Sequence, residues 1–250
     1  MTGAPPTGRE IMQKALTLTE TTIGKKALVA ITGAILFAFV IGHLIGNLQV
    51  FLGPEHLNAY AETLHSMPKA LWAARIVLLL SLITHIGLTV QLAMANSAAR
   101  PSRYKIAADV GAQGPLLRYA RKTMILSGPI VLAFIGFHIA HLTIGADVIQ
   151  GYRFDPQDVY ANVIHGFRSV WVTSFYVFAN ILLGFHLYQG GHSLLQSLGL
   201  RSPRFDRRIR GAAMAFAAFV ALGNVIIPLS IMARIVGGDV PDLPALAPTL

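Results

Sequence analysis

The chain contains no cysteine. That absence excludes a disulfide framework, a thiolate nucleophile, Cys-ligated zinc, an iron–sulfur cluster and a thioether-attached haem. Charge is also scarce: Asp, Glu, Lys and Arg make up 12% of the 250 residues, about half the share of an ordinary soluble domain. Acidic residues are the scarcer sign, 11 against 20 Lys plus Arg. With 54% hydrophobic residues and a mean hydropathy of +0.59, the chain has more apolar surface than one soluble core can hide, and it is neither disordered nor fibrous. No repeat or low-complexity segment stands out.

What is present is a set of five apolar runs, near 28–52, 71–96, 123–144, 170–195 and 211–235. Each is long enough, at about 1.5 Å per residue, to cross about 30 Å of hydrocarbon. Arg75 and Arg234 lie close enough to span ends to snorkel. Pro129 and Pro228 are expected to bend the third and fifth helices, which membrane helices tolerate. The reading is an all-α integral membrane protein with five transmembrane helices. It divides into an N-terminal segment (1–27), a membrane domain (28–236) and a C-terminal tail (237–250).

Basic residues sort by side. Four precede the first span, six lie between Arg100 and Lys122, and five lie between Arg201 and Arg210. The positive-inside rule then puts the N-terminus in the cytoplasm and the C-terminus outside. Glu55, Glu62, Asp147, Asp155 and Asp158 fall on the outer side. The +9 net charge is thus topology, and no nucleic-acid partner is implied. The segment before Lys26 lacks the apolar core of a signal peptide, so Lys25 and Lys26 read as flanking an uncleaved anchor. Residues 8–20 read equally as a short interfacial helix or a solvated tail.

Six of the nine histidines fall inside spans: His43, His85, His138, His141, His186 and His192. An imidazole in hydrocarbon needs a partner, so each is a functional candidate or a structural hydrogen-bonded group. Their depths discriminate. His43 and His138 each lie 15 residues beyond the inner start of their spans, about 22 Å deep. His85 and His186, on helices running the other way, lie about 6–9 Å from the inner edge. Two layers of paired imidazoles result, about 14 Å apart in depth.

A low-spin haem takes two axial imidazoles from facing helices. Zinc or non-haem iron would want more ligands than one pair per layer supplies. Two b-type haems held by the first four helices fit the pattern, with His141 as rival to His138. Gly46, one turn beyond His43, would let a porphyrin approach the backbone, or serves helix packing. Ser81 and Thr89 flank His85 and are candidates to bond its second ring nitrogen.

The same residues resemble the single-chain, five-helix, dihaem cytochrome b anchor of succinate dehydrogenases and fumarate reductases. The resemblance covers all five spans and is densest in GHLIGNLQVFLGPEHLNAYAETLHS (42–66), GFHIAHL (136–142) and GFHLYQGGHSLLQSLG (184–199). It implies axial ligands at His43, His85, His138 and His186, the first histidine of each short motif matching rather than His141 or His192. It also implies a flavoprotein subunit and an iron–sulfur subunit docked on the cytoplasmic side, with a membrane quinone (menaquinone or ubiquinone) receiving the electrons. Such a chain lies in a prokaryotic cytoplasmic membrane among lipid and does not itself bind succinate.

Two positions depart from the pattern of some fumarate-reducing relatives. His65 stands where they have a glutamate in the first external loop, and Gly184 where they have one two residues before the fourth ligand. Both departures favour succinate oxidation without a transmembrane proton path.

Haem propionates are anionic and need partners near the helix ends. His192, Arg121 and Lys122 are the inner candidates and Arg168 the outer one, each also readable as an ordinary interfacial residue. For the quinone, Glu62 and His65 share a face if their loop is helical, and His65 is suited to donate a proton. The plainer alternative is the polar face of an interfacial helix, with the quinone site at the inner end. Rival functions are a dihaem cytochrome of a hydrogenase or formate dehydrogenase and, in another class, a transporter using buried histidines as proton relays.

Overall fold

Thr21 opens the first helix: its hydroxyl accepts from the Gly24 backbone N–H at 2.9 Å, satisfying one of the donors left over at a helix start. Helix α1 (Thr22–Asn47) then tightens into a 3-10 turn, Leu48–Leu52. Gly53, at φ 95°, breaks it, and Pro54 starts α2 (Pro54–His65) at the position where its missing N–H costs nothing. The remaining helices are α3 (Pro68–Ala98), α4 (Pro115–Ile139, running into a π-helical turn over Ala140–Ile144), α5 (Val159–Arg168), α6 (Val170–Ser197) and α7 (Asp206–Met232).

This is a computed structural model, and it describes residues 21–98, 115–146, 149, 152, 154–199 and 204–241. Residues 8–20 and most of the basic segment after Arg100 lie outside the described residues. Among those described, every regular element is helical. Five helical stretches are long and apolar enough to cross a membrane: Thr22–Leu52, Pro68–Ala98, Leu126–Ile144, Val170–Ser197 and Asp206–Met232. The first begins ahead of residue 28 because Thr21 supplies a cap. The fifth stops at Met232, short of 235, where the chain turns with Arg234 at φ 57°.

Helix α6 is central, packing against α1, α4 and α7, whereas α3 packs on α1 and meets α2 at one end. Lipid tails are as apolar as leucine, so close fit rather than water exclusion holds such helices together. Gly223 supplies that fit: a Cβ there would stand 2.8 Å from a Leu44 methyl, and Leu44 is fully buried beside Val220. The Phe37 and Phe216 rings stack at 4.6 Å between α1 and α7. Trp72, Ile76, Leu79, Leu80, Ile83, Val90 and Met94 make an exposed apolar face on α3, suited to lipid.

One end of the bundle is capped by α2, α5 and the C-terminal segment. Asn58 ties α2 to α5: its Nδ2 donates to the Asp158 carboxylate at 3.0 Å, and its Oδ1 accepts from the Tyr160 backbone N–H at 2.9 Å. Asp158 also caps α5 through the Ala161 N–H. Burial, with the nearby Asp239 adding to it, pushes the Tyr160 phenol up from its ordinary range.

The Arg168 guanidinium donates to the main-chain carbonyls of Gly237, Val240 and Pro241, holding the C-terminal segment across this end. Gly237 sits at φ 66°, where a Cβ would meet Ile164 at 2.5 Å. Gly237→Ala is therefore expected to cost about 1–2 kcal/mol from left-handed backbone strain before any clash is counted. A lowered thermal midpoint in detergent, with faster proteolysis after residue 232, checks it.

Candidate functional site

Four of the intramembrane histidines, His43, His85, His138 and His186, fall on helix pairs with little backbone contact between them. His43 on α1 and His138 on α4 point together, with ring centroids 5.6 Å apart and planes nearly perpendicular at 87°. His43 is backed by Phe39 at 5.2 Å and His138 by Phe134 at 5.8 Å. His85 on α3 and His186 on α6 form a second pair, His85 lying within electrostatic range of His186. All four are half-buried. Among the described residues no group of three or more His, Asp or Glu side chains is arranged to hold a metal ion.

The protons on these rings can be assigned from their neighbours. His85 Nδ1 lies 3.2 Å from the Val29 carbonyl, which can only accept, so Nδ1 carries the proton and Nε2 the lone pair. Thr32 is a second acceptor 3.3 Å away, its own proton being given to the Leu28 carbonyl at 2.8 Å. His186 has the same arrangement. Its Nδ1 is 3.3 Å from Ser127 Oγ, whose proton goes to the Met124 carbonyl at 3.2 Å. Ser127 thus accepts, and His186 Nε2 is bare.

Glycines on the facing helices admit these rings. A Cβ at Gly33 would come within 3.3 Å of the His85 ring, and one at Gly128 within 4.0 Å of His186.

The α4 histidines share one partner. The Tyr176 hydroxyl lies 3.1 Å from His138 Nδ1 and 2.9 Å from His141 Nδ1. His141 is fully buried, boxed by Phe137 and Phe167. The π-helical turn that begins at Ala140 carries it over α5, and a Cβ on Gly166 would be 2.6 Å from its Nε2.

Several expectations are corrected in detail. Ser81 and Thr89 are not the partners of His85 Nδ1: Val29 and Thr32 of α1 are, while Thr89 donates to the His85 backbone carbonyl at 2.6 Å. A hydroxyl one turn away on the same helix finds a main-chain carbonyl closer than a neighbouring side chain. Gly46 does not open the backbone to a flat ligand; the space is taken by Tyr60 of α2, whose ring would stand 2.7 Å from a Cβ there. Gly184 lies against α7, where a Cβ would be 2.9 Å from that of Ala221, so a longer side chain would force the two helices apart.

The other site candidates are placed as follows. Arg168 spends the three bonds described above on the C-terminal segment. His192 is buried, its Nε2 3.5 Å from the Asp206 carboxylate, which also pairs with Arg210 at 3.0 Å. Arg121 and Lys122 lie on the α4 backbone, and their side chains are outside what the structure describes.

Glu62 and His65 are brought together. The connection after the first span is helical over Pro54–His65, and both side chains line a cleft of about 520 Å³ with Glu55, Asn58, Gln157 and Val159. That volume lies within the usual range for small-molecule sites. Glu55 joins the cleft from the same helix, seven residues before Glu62, while Pro156 and Gln157 were not legible as part of this site because the Asn58–Asp158 tie brings their segment against α2.

Comparison with protein-family profiles, with curated proteins and with solved structures gives no match.

Proposed function

We propose that this chain is the membrane anchor and dihaem cytochrome b subunit of a succinate:quinone oxidoreductase. One observation supports the dihaem reading above the rest: two separate imidazole pairs, in which His85 and His186 have Nδ1 bonded to acceptors and Nε2 bare. Metal-bound histidines are held in this way, the outer nitrogen anchored and the inner one free to ligate. The His43 and His138 rings, with centroids 5.6 Å apart, would hold one iron together, since metal–imidazole bonds are about 2 Å long. The donor set fits a bis-imidazole haem and does not fit the larger ligand sets of zinc or non-haem iron.

His43 with His138 would hold one haem and His85 with His186 the other. Each supplies one-electron transfer between an iron–sulfur partner and quinone. Val29, Thr32 and Ser127 fix the rings of their histidines, and Gly33 and Gly128 give those rings room. At the capped end, Glu62 and His65 offer a quinone a carboxylate and an imidazole within one cleft. There His65 would donate a proton to a reduced carbonyl oxygen and Glu62 orient it. Arg204, Arg207, Arg208 and Arg210, at the opposite end from the cap, would face the flavoprotein and iron–sulfur subunits in the cytoplasm under the positive-inside orientation. The succinate assignment rests on the resemblance through residues 42–66.

Purification in mild detergent tests the proposal. The expected result is a reduced-minus-oxidised spectrum of b-type haem at two per chain, with flavin and iron–sulfur subunits co-purifying. A haem-free chain would favour the transporter, and co-purification with a hydrogenase or formate dehydrogenase would favour the other cytochromes.

A further inference from the structure

The Tyr176 hydroxyl touches two imidazole nitrogens, His138 Nδ1 at 3.1 Å and His141 Nδ1 at 2.9 Å. A phenol has one proton. It can donate to one of these nitrogens at most, and giving its proton to one while accepting from the other satisfies the buried hydroxyl and sets the two rings in opposite tautomers. If the proton goes to His141, then His138 carries hydrogen on Nδ1 and presents a bare Nε2. If it goes to His138, the tautomers are exchanged, and only His141 has a bare Nε2.

The surroundings decide between the two. His138 faces His43 across the bundle. His141 Nε2 abuts α5, where even a methyl on Gly166 would stand 2.6 Å away, so a macrocycle has no approach to it. Resting on the dihaem reading, we propose that Tyr176 is a positioning residue that selects His138 over His141 as the iron ligand. Its single proton is given to His141 Nδ1, and its lone pair receives the His138 Nδ1–H. As acceptor it also makes His138 a stronger electron donor, which favours the oxidised metal and lowers the potential of that haem.

The aromatic packing allows a clean test. The Tyr176 ring meets Phe134 at 5.0 Å and Phe167 at 4.7 Å, both nearly perpendicular. Tyr176→Phe keeps those contacts and removes only the hydroxyl. In the purified complex the expected result is an upward shift of the midpoint potential of one haem and altered low-spin EPR g-values for that haem. The other haem should keep both values. Loss of one haem with retention of the other would also support the proposal.

If Tyr176→Phe fails to assemble, His141→Leu serves in its place. It removes the acceptor of the tyrosine proton and is expected to give a smaller shift of the same haem in the same direction. A wild-type complex without haem would overturn the cytochrome reading. A dihaem wild type whose Tyr176→Phe potentials and g-values are both unchanged would overturn the role of Tyr176 alone, as would an unchanged His141→Leu where that variant stands in.

Discussion

Replacing His138 by alanine is expected to remove one of two b-haem signals and leave the other nearly intact. The expectation follows from the separation of the pairs. His138 stands with His43, whereas His85 is fixed by Val29 and Thr32 of α1 and His186 by Ser127, which precedes His138 on α4 by about three turns. A low-spin haem with one imidazole removed loses half of its axial ligation, and a neighbouring pair in a different layer has no reason to respond. A pyridine haemochrome assay on the purified variant should give about half the wild-type haem per chain, with a single remaining potential in a redox titration. His141→Ala giving that loss, with His138→Ala keeping both haems, would move the ligand one turn along α4.

The second large effect is expected at the capped end. Once general-acid help is removed, proton transfer falls back on water, a loss of about 10²- to 10⁴-fold where the group acts in the rate-limiting step. His65→Ala should therefore retain both haems and the partner subunits yet lose succinate–quinone reductase turnover by roughly a hundredfold or more. Succinate oxidation by a soluble dye that bypasses quinone should be unchanged. Wild-type quinone turnover in that variant would place the quinone elsewhere and leave ETLHS (62–66) as the polar face of an interfacial helix. His65 is exposed, so its replacement removes little packing, and a loss of turnover would report on the cleft chemistry.

The five spans were legible because hydrocarbon imposes length and apolarity on a helix independently of its neighbours. The meeting of His43 with His138 was legible for a related reason: depth is counted along each helix separately, and equal depth on two helices running the same way across one bundle puts side chains in reach. The partners of the ring nitrogens were not. Val29 lies 56 residues from His85, and Ser127 lies 59 from His186; such bonds depend on the rotation of one helix against another, which spacing within a helix does not give.

Gly46 shows the same limit, since its place beyond His43 is correct and its neighbour, Tyr60, comes from another helix. Helix α5 lies between the third and fourth apolar runs, and its ten residues, with Asn, His and Gly among them, have no long apolar period to announce a helix. It is held by the Asp158 cap and the Asn58 tie instead. Arg168 was read as the outer propionate partner or an ordinary interfacial residue, and its hold on three carbonyls of the C-terminal segment was not legible.

The position of α3 has a consequence for biogenesis. It is the least buried of the five spans and packs chiefly on α1, in a medium that gives apolar helices little reason to associate. Its main polar tie to the bundle is His85, reaching Val29 and Thr32. A cofactor bridging His85 to His186 would join α3 to α6, a helix it otherwise does not pack against, so that ligand binding free energy becomes assembly free energy for this span. In cells starved of haem, α1, α4, α6 and α7 should associate first, with α3 inserted but undocked. The anchor would then mature in two stages, and α3 would be the segment that membrane quality control meets when haem is short.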